Sequence, residues 1–209
     1  METPKFPPEA KALTRAEKAF VNALFNLLKD RRFDEIRVTD LLRTADYSRG
    51  AFYGKYEDKF DFIEKITNKI AHLDVNEQMK FMVLMVSKAS PEEQVRQVSA
   101  WYKFLTEYRP FYEMLFDGLF PGISDEEYCF RCTEIIGQLT QSHFGKITID
   151  VDNGIDEKLL CYIASYEWIA LHKYWKRSGY KQSLEEMARH TLYTQRDYIL
   201  NMRLERSTL

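Results

Sequence analysis

Helix-breaking residues are scarce in this chain, and their scarcity limits the folds that it can adopt. The 209 positions hold only eight glycines and six prolines, and three of those prolines lie within the first eight residues. Because glycine and proline punctuate most turns and strand ends, long helices are the economical interpretation. With 45% hydrophobic residues, the chain can also bury a substantial core. We therefore predict an all-α fold of about nine helices with essentially no strands.

Side chains that cap helices indicate where several of these helices begin. Thr14 and Glu17, like Ser183 and Glu186, have the spacing of a capping box. Asp58 precedes a long helix whose apolar stripe is predicted to contain Phe60, Ile63, Ile66 and Ile70. Residues 1–13 are expected to form a loose arm, and residues 145–154 a loop. A further short helix is predicted to start at Pro110. The other predicted helices run from Thr14 to about Arg31, from Pro91 to about Tyr108, from Ser124 or Asp125 to about His143, from Ile155 to Lys176, and from residue 184 to about Arg203.

Two short helices separated by a tight turn are predicted around residue 46. The first covers 40–45 with Thr39 as its cap, and the second covers 49–56 with Ser48 as its cap. Asp46, in the turn, tolerates the left-handed backbone conformation better than most residues. This pattern is typical of a helix-turn-helix.

The second short helix has one apolar side and one polar side. Phe52 is predicted to bury the helix against the first one, which leaves a short polar face outside. A helix of this kind fits the major groove of DNA, which is about 12 Å wide.

The same segment resembles the TetR/AcrR family of transcriptional regulators over roughly residues 14–70. Members of that family share the core A-G-V-S-x-G-T-F-Y-x-Y/H-F, followed by x-x-K-x-x-L. This chain has A-D-Y-S-R-G-A-F-Y-G-K-Y-E-D-K at 45–59, with Asp46, Tyr47, Ala51 and Gly54 as departures. The resemblance implies that Thr39, Ser48, Tyr53 and Lys59 bind phosphates, that Arg49 and Lys55 read base edges, and that Gly50 lets the backbone approach the groove.

The resemblance also implies a role for the rest of the chain. In the family, the C-terminal domain dimerises and often binds a small molecule, so helices 155–176 and 184–203 are the candidates for a four-helix dimer interface. The dense aromatic residues have two readings, an aromatic helical core or a ligand pocket with apolar walls. The candidate pocket residues are Trp101, Phe104, Tyr108, Phe111, Tyr112, Tyr162, Tyr166 and Trp168.

Charge and cysteine content narrow the class of protein further. The net charge is −2, but residues 1–60 carry 12 basic against 10 acidic side chains while the remainder carries 18 against 22. This mild asymmetry is compatible with a DNA-facing head on an acidic body. Three cysteines argue against a disulfide framework, and neither a signal peptide nor an apolar run of membrane-spanning length is apparent. We therefore predict a cytoplasmic protein.

Cys129 and Cys132 form a lone C-x-x-C motif, which is either a redox pair or half of a metal site, or simply part of a helix. No second pair, phosphate-binding glycine loop or nucleophile elbow accompanies it. The sequence therefore predicts no enzyme activity, cofactor or metal.

Together these features predict a homodimeric, ligand-responsive repressor that binds a palindromic operator in double-stranded DNA. The predicted domains are an arm (1–13), a helix-turn-helix domain (14–58) and a helical domain for dimerisation and ligand binding (59–209). The alternative is a helical protein-interaction module that keeps the helix-turn-helix as a scaffold.

Overall fold

The computed structural model describes residues 11–86, 89–143, 147–149, 157–195 and 202–204. Within these residues the fold has nine α-helices, a single 3-10 turn at Phe33–Glu35 and two three-residue strands. The helices are α1 Arg15–Leu27, α2 Val38–Ala45, α3 Arg49–Tyr53, α4 Lys59–Val86, α5 Pro91–Glu107, α6 Arg109–Phe116, α7 Asp125–His143, α8 Glu157–Arg177 and α9 Leu184–Thr194. The predicted all-α class is confirmed.

Local capping explains why several helices begin where they do. The backbone N–H of Thr14 donates to the Glu17 carboxylate at 2.6 Å, and the N–H of Glu17 donates back to the Thr14 hydroxyl at 3.3 Å. Reciprocal bonds of the same kind start α5 and α9. Asp58 accepts two backbone N–H groups at 2.8 Å each where α4 starts. These bonds satisfy donors that the first turn of a helix leaves unpaired.

Two helix boundaries differ from the sequence prediction in the head, which comprises helices α1 to α3 (residues 15–53). Helix α2 begins at Val38, so Thr39 lies inside its first turn and is not the cap. The N-cap residue is Arg37, whose side chain makes no capping bond, and the Asp40 carboxylate accepts the backbone N–H of Arg37 at 3.1 Å. Helix α3 ends at Tyr53 and not near residue 56, because the chain must turn before α4. The first correction lengthens α2 and the second shortens α3, while the turn between the two helices stays at residues 46–48.

The described residues contain two short strands beside the helices, and the expectation that the last helix reaches Arg203 was wrong. Strand β1 (Ile147–Ile149) pairs antiparallel with β2 (Met202–Leu204), with Ile147 opposite Leu204. Helix α9 therefore stops at Thr194, well before β2. β-Branched side chains favour extended backbone, which accounts for β1 in a segment predicted to be a loop. The rest of the predicted 145–154 loop lies outside the described residues.

An apolar core extends from α1 into the body, which comprises helices α4 to α9. In the head, Phe20 and Phe52 are fully buried, and Phe62 begins the continuation along α4. The buried stripe of α4 contains Ile63, Ile66 and Ile70 as predicted, but Phe60 is 54% exposed because its ring lies on the outside against Phe33. Of the predicted arm, residues 1–10 lie outside the described residues, and Leu13 is buried.

In the body, α4 packs against α5 and α7, α5 against α9, and α7 against α8. Helix α4 therefore runs from the head into the middle of the body. No helix in the described part of the chain is both long and apolar enough to cross a membrane.

Candidate nucleic-acid interface and interior cavity

The turn between α2 and α3 depends on one left-handed residue. Asp46 has φ 57° and ψ 51°, as its place in the turn predicted. The N–H of Tyr47 then donates to the carbonyl of Leu42 at 3.1 Å, which closes the end of α2. The chain leaves this turn at Ser48 in an extended conformation and enters α3 directly.

Helix α3 has only five residues, and aromatic packing holds it in place. The Phe52 ring lies 5.5 Å from that of Phe20 and 5.7 Å from that of Phe62, between centroids. Tyr56, just past the helix, packs 5.1 Å from Phe52. An isolated helix of this length would not be stable in water, so this packing accounts for its order.

The buried position of Phe52 turns the opposite face of α3 outward. Ser48, Arg49 and Gly50 are exposed, and Tyr53 is 52% exposed. Within the described residues, the Ser48 hydroxyl makes no hydrogen bond to the helix that it precedes, and Arg49 makes no ion pair. The hydroxyl and the guanidinium are thus available to an external partner. Thr39 is also exposed, on the first turn of α2.

Gly54 ends α3 where the backbone has no room for a side chain. A Cβ atom at this position would lie 2.9 Å from the carbonyl oxygen of Gly50. The departure from the family pattern at this residue therefore has a steric reason within the helix-turn-helix itself.

Lys59 has a different environment from that expected of a phosphate ligand. Its ammonium donates to the carbonyls of Phe33 at 2.7 Å, Asp34 at 3.1 Å and Ile36 at 2.8 Å. Those three bonds use every N–H that a lysine has. Burial also lowers the pKa of the amine. The geometry indicates that Lys59 fixes the 3-10 turn in front of α2.

Lys55 is exposed but is drawn toward the base of the head. Its ammonium lies 3.4 Å from the Glu17 carboxylate. Glu17, which is only 6% exposed, also receives the ammonium of Lys69 at 2.8 Å and the hydroxyl of Tyr56 at 3.3 Å. This cluster ties α1, the end of α3 and α4 together. Sequence reasoning identified Glu17 only as a capping residue, because its partners lie 38 to 52 positions away.

The Glu17 cluster predicts a specific loss of stability in acid. Burial raises the pKa of Glu17, but the bonds from Lys69 and Thr14 outweigh this and lower it from 4.5 to about 2. A lowered pKa means that the stabilisation is fully present above pH 4.5 and is lost as the pH falls toward 2. Glu17→Gln should lower the free energy of unfolding by about 2 kcal/mol at neutral pH, after allowance for the partly exposed lysines.

Urea titrations from pH 7 to pH 2.5 would test this prediction. The difference in the free energy of unfolding between wild type and Glu17→Gln should shrink as the pH falls below 4.5. Glu134→Gln, at an exposed glutamate on α7, serves as the control and should match wild type throughout. A difference that stays constant with pH would contradict the ionic role of Glu17.

A small cavity of about 20 Å³ lies inside the body, between α4, α5, α6, α7 and α8, and has room for about one water molecule. Three of the eight predicted pocket residues, Trp101, Tyr112 and Trp168, line it. Sequence reasoning did not assign the other lining residues to a pocket. These are Asp74, Gln78, Leu105, Phe116, Tyr128, Cys129, Cys132, Ser165, Ile169 and His172.

The five other predicted pocket residues do not line this cavity. Phe104 packs on Tyr108 at 4.7 Å, and Phe111 on Phe120 at 5.5 Å. Tyr162 stacks on the exposed Phe130, and Tyr166 faces solvent. For these side chains, the reading as core or surface aromatics fits the geometry better than the pocket reading.

Asp74 is the fully buried centre of the polar groups around the cavity. One carboxylate oxygen accepts the Trp101 indole N–H at 2.7 Å and the Gln78 amide at 3.0 Å. The other accepts the hydroxyls of Tyr112 at 2.8 Å and Tyr128 at 2.9 Å. Burial raises the pKa of the carboxyl, although these four donors oppose the shift. Asp74 thereby links α4 to α5, α6 and α7.

The C-x-x-C motif lies within helix α7, and both thiols are buried beside the cavity. Burial raises the pKa of Cys129 to about 12 and that of Cys132 well above its usual value. Both groups therefore stay protonated, whereas redox and metal chemistry need the thiolate. Among the described residues, no three His, Cys, Asp or Glu side chains group as metal ligands.

The turn at Asp46, the buried Phe52 and the exposed face of α3 define a helix-turn-helix on an all-helical body. No family model matches the chain. The chain is 35% identical over 81 residues to the uncharacterized HTH-type transcriptional regulator YwcC of Bacillus subtilis (strain 168). That alignment covers 35% of this chain and 36% of the relative, so it spans about a third of the length of that curated protein.

Solved structures extend the comparison to the whole fold. The fatty acid degradation regulator FadR from Bacillus halodurans superposes with a TM-score of 0.55, at 12% identity, over 93% of this chain and all of that one. A TetR-family regulator from Rhodococcus sp. matches at TM-score 0.43 and 15% identity, over 89% and 100% of the two chains. The curated relative confirms the resemblance to helix-turn-helix transcriptional regulators, and the FadR structure shows the same overall fold.

Proposed function

We propose that this protein is a sequence-specific, DNA-binding transcriptional regulator and not an enzyme. The exposed face of α3 carries the proposal. A buried aromatic cluster fixes the orientation of this helix, while the side chains of Ser48, Arg49 and Tyr53 are exposed and available to DNA. A preorganised short helix with a cation and hydroxyls suits the major groove and its flanking phosphates. We further propose that it acts as a repressor on a palindromic operator in double-stranded DNA, under the control of a small-molecule effector.

The proposed contacts divide by chemistry. Arg49 reads a base edge, most naturally guanine, and Lys55 joins it after leaving its long 3.4 Å contact with Glu17. Thr39, Ser48 and Tyr53 bind phosphates, and Gly50 lets the backbone approach. Lys59 acts indirectly by holding the turn before α2.

Replacing Arg49 by alanine should weaken operator binding by about 1–3 kcal/mol and relax the preference at one base position. The reason is the loss of a bidentate donor that no neighbouring side chain replaces. Fluorescence anisotropy with the selected operator and with variants of each base pair measures both effects. The control is Arg96→Ala, which removes an exposed arginine of α5 on the body. Unchanged affinity and unchanged base preference would remove Arg49 from the interface.

Selection of bound sequences from a random DNA library, at two salt concentrations, tests the function as a whole. A dimer should enrich a palindrome whose half-sites lie about 34–36 Å apart. Binding should fall steeply with salt, because phosphate contacts release counterions. Absence of any enriched motif would favour the alternative, in which the helix-turn-helix is a scaffold and exposed aromatics recruit a protein.

The outer face of α8 supports the proposed homodimer. Leu159, Ile163, Tyr166 and Tyr174 are 37% to 58% exposed and fall on a single helical stripe. An exposed apolar stripe of this kind is characteristic of an interface. Helix α9 buries Met187 toward α5 and has a charged outer face, so α8 would supply most of the apolar contact in a four-helix interface.

The double variant Ile163→Glu/Tyr174→Glu should therefore be monomeric at concentrations at which wild type is dimeric. Two buried, unpaired charges per subunit cannot be accommodated in an apolar interface. Size-exclusion chromatography with light scattering gives the mass directly. Tyr53→Glu, at an equally exposed aromatic on the head, should remain dimeric. A dimeric double variant would place the interface elsewhere.

A further inference from the structure

We propose that Arg109, at the corner between α5 and α6, is the centre of a surface site for a small oxyanion that carries a carboxylate or phosphate group. The site is separate from the helix-turn-helix and from the cavity beside Asp74. Three observations carry it: an arginine whose donors are unused in the described part of the chain, an aromatic ring that a rare backbone conformation holds against it, and positive charge around it.

Arg109 is half-buried at the start of α6, yet its guanidinium has five N–H donors and uses none of them within the described residues. Its Nε is fully buried without an acceptor, whereas its two terminal nitrogens, also unpaired, reach solvent. The carboxylates of α6 are engaged elsewhere, because Glu113 accepts the Tyr180 hydroxyl at 3.0 Å and Asp117 pairs with Lys176. A cation that is partly withdrawn from water is normally compensated. Arg109 therefore offers an uncompensated charge that an external anion can reach.

The turn between α8 and α9 holds an aromatic ring against this guanidinium. The central carbon of the guanidinium lies 4.0 Å from the centroid of the Tyr180 ring, which packs edge to face on Trp175 at 5.0 Å. Tyr180 has φ 57°, a left-handed conformation that is rare for a bulky residue and that is found at ligand clamps. Because the ring covers one face of the guanidinium, the edge with the terminal N–H groups stays available. That edge matches the two oxygens of a carboxylate or phosphate.

Positive charge surrounds Arg109 although the body as a whole is acidic. Beyond residue 60 the chain carries 18 basic against 22 acidic side chains. Arg177 and Lys181, on either side of the turn at Tyr180, are exposed and form no ion pair with any described residue. The field reaches inward to His172, whose pKa falls to about 3 through burial and then through Arg109 and Lys176. A local excess of positive charge raises the concentration of anions at this surface.

The site borders the junction between the body and the head. Glu107, two residues before Arg109, pairs with Lys18 of α1, and the Lys18 ammonium lies 5.5 Å from the centroid of the Tyr108 ring. Helix α6 itself packs against α1. An anion on Arg109 therefore binds next to the contacts that join α1 to the body, and its binding should raise the thermal stability of the intact protein.

Titrations of the intact protein with sodium phosphate and with sodium acetate test the proposal, each salt replacing sodium chloride at constant ionic strength. Tryptophan fluorescence follows binding because Trp175 touches Tyr180, and thermal melts give a second readout. We expect a saturable response to at least one oxyanion. Arg109→Gln should weaken that binding at least about ten-fold, and Arg109→Lys should also weaken it because lysine lacks the planar fork. Arg96→Gln, at an exposed arginine of α5, is the control and should bind like wild type.

A response to phosphate alone would assign a phosphate ligand, and a response to acetate alone a carboxylate; either supports the site. Three outcomes would overturn it: no saturable response to either oxyanion, full binding by a folded Arg109→Gln variant, or an equal loss of binding in Arg96→Gln. The comparison with chloride in the wild-type protein remains decisive even if the Arg109→Gln variant fails to fold. DNA selection reports on the regulator function separately, so either proposal can fail while the other stands.

Discussion

Replacing Phe52 by alanine should lower the free energy of unfolding by about 3–5 kcal/mol and abolish DNA binding. Phe52 is completely buried, and its ring touches those of Phe20, Tyr56 and Phe62. Removing it leaves a cavity between three helices that cannot all close around it. Because α3 has only five residues and depends on this contact, the helix should lose its fixed orientation.

Tyr53 provides a matched control beside Phe52. It is the next residue in the chain and is also aromatic, but it is 52% exposed. Tyr53→Ala should cost less than about 1 kcal/mol of stability while still weakening operator binding. Urea titration at a fixed protein concentration measures the first quantity, and anisotropy with operator DNA the second. Equal stability losses in the two variants would contradict the inside and outside faces assigned to α3.

The second large effect is expected at Asp74. Asp74→Ala removes the acceptor of four buried donors and should lower the free energy of unfolding by about 3–5 kcal/mol, because it leaves these donors without their acceptor. Helices α4, α5, α6 and α7 should loosen together. Thermal and urea unfolding followed by near-ultraviolet circular dichroism would detect both the lost stability and the changed tryptophan environment.

Asp74→Asn distinguishes the hydrogen bonds from the charge. The amide oxygen can still accept from Trp101 and Gln78, while its NH₂ group donates to the tyrosine hydroxyls, which can turn to accept. We expect this variant to lose only about 1 kcal/mol, since it also removes a desolvated charge. If the asparagine and alanine variants were equally destabilised, the charge of the carboxylate itself would be required for the fold.

Much of the head followed from the sequence, because its structure depends on neighbours close in the chain. A capping box needs only residues three apart, so Thr14 and Glu17 predicted the start of α1 correctly. The turn at Asp46 depends on one residue that accepts a positive φ. The alternation of a buried Phe52 and an exposed Tyr53 follows from helical spacing. These features also carry the resemblance to helix-turn-helix regulators.

Only the tertiary structure decided the roles of several charged groups. Lys59 matched a phosphate-binding position in the motif, yet the chain brings three backbone carbonyls from 23 to 26 residues earlier to its ammonium. The donors of Asp74 include side chains 27, 38 and 54 positions away. Aromatic content was compatible with a core or a pocket and did not distinguish the residues that line the cavity from the surrounding core. Local pattern determines which face of a helix is buried, whereas the packing of helices determines which polar groups meet there.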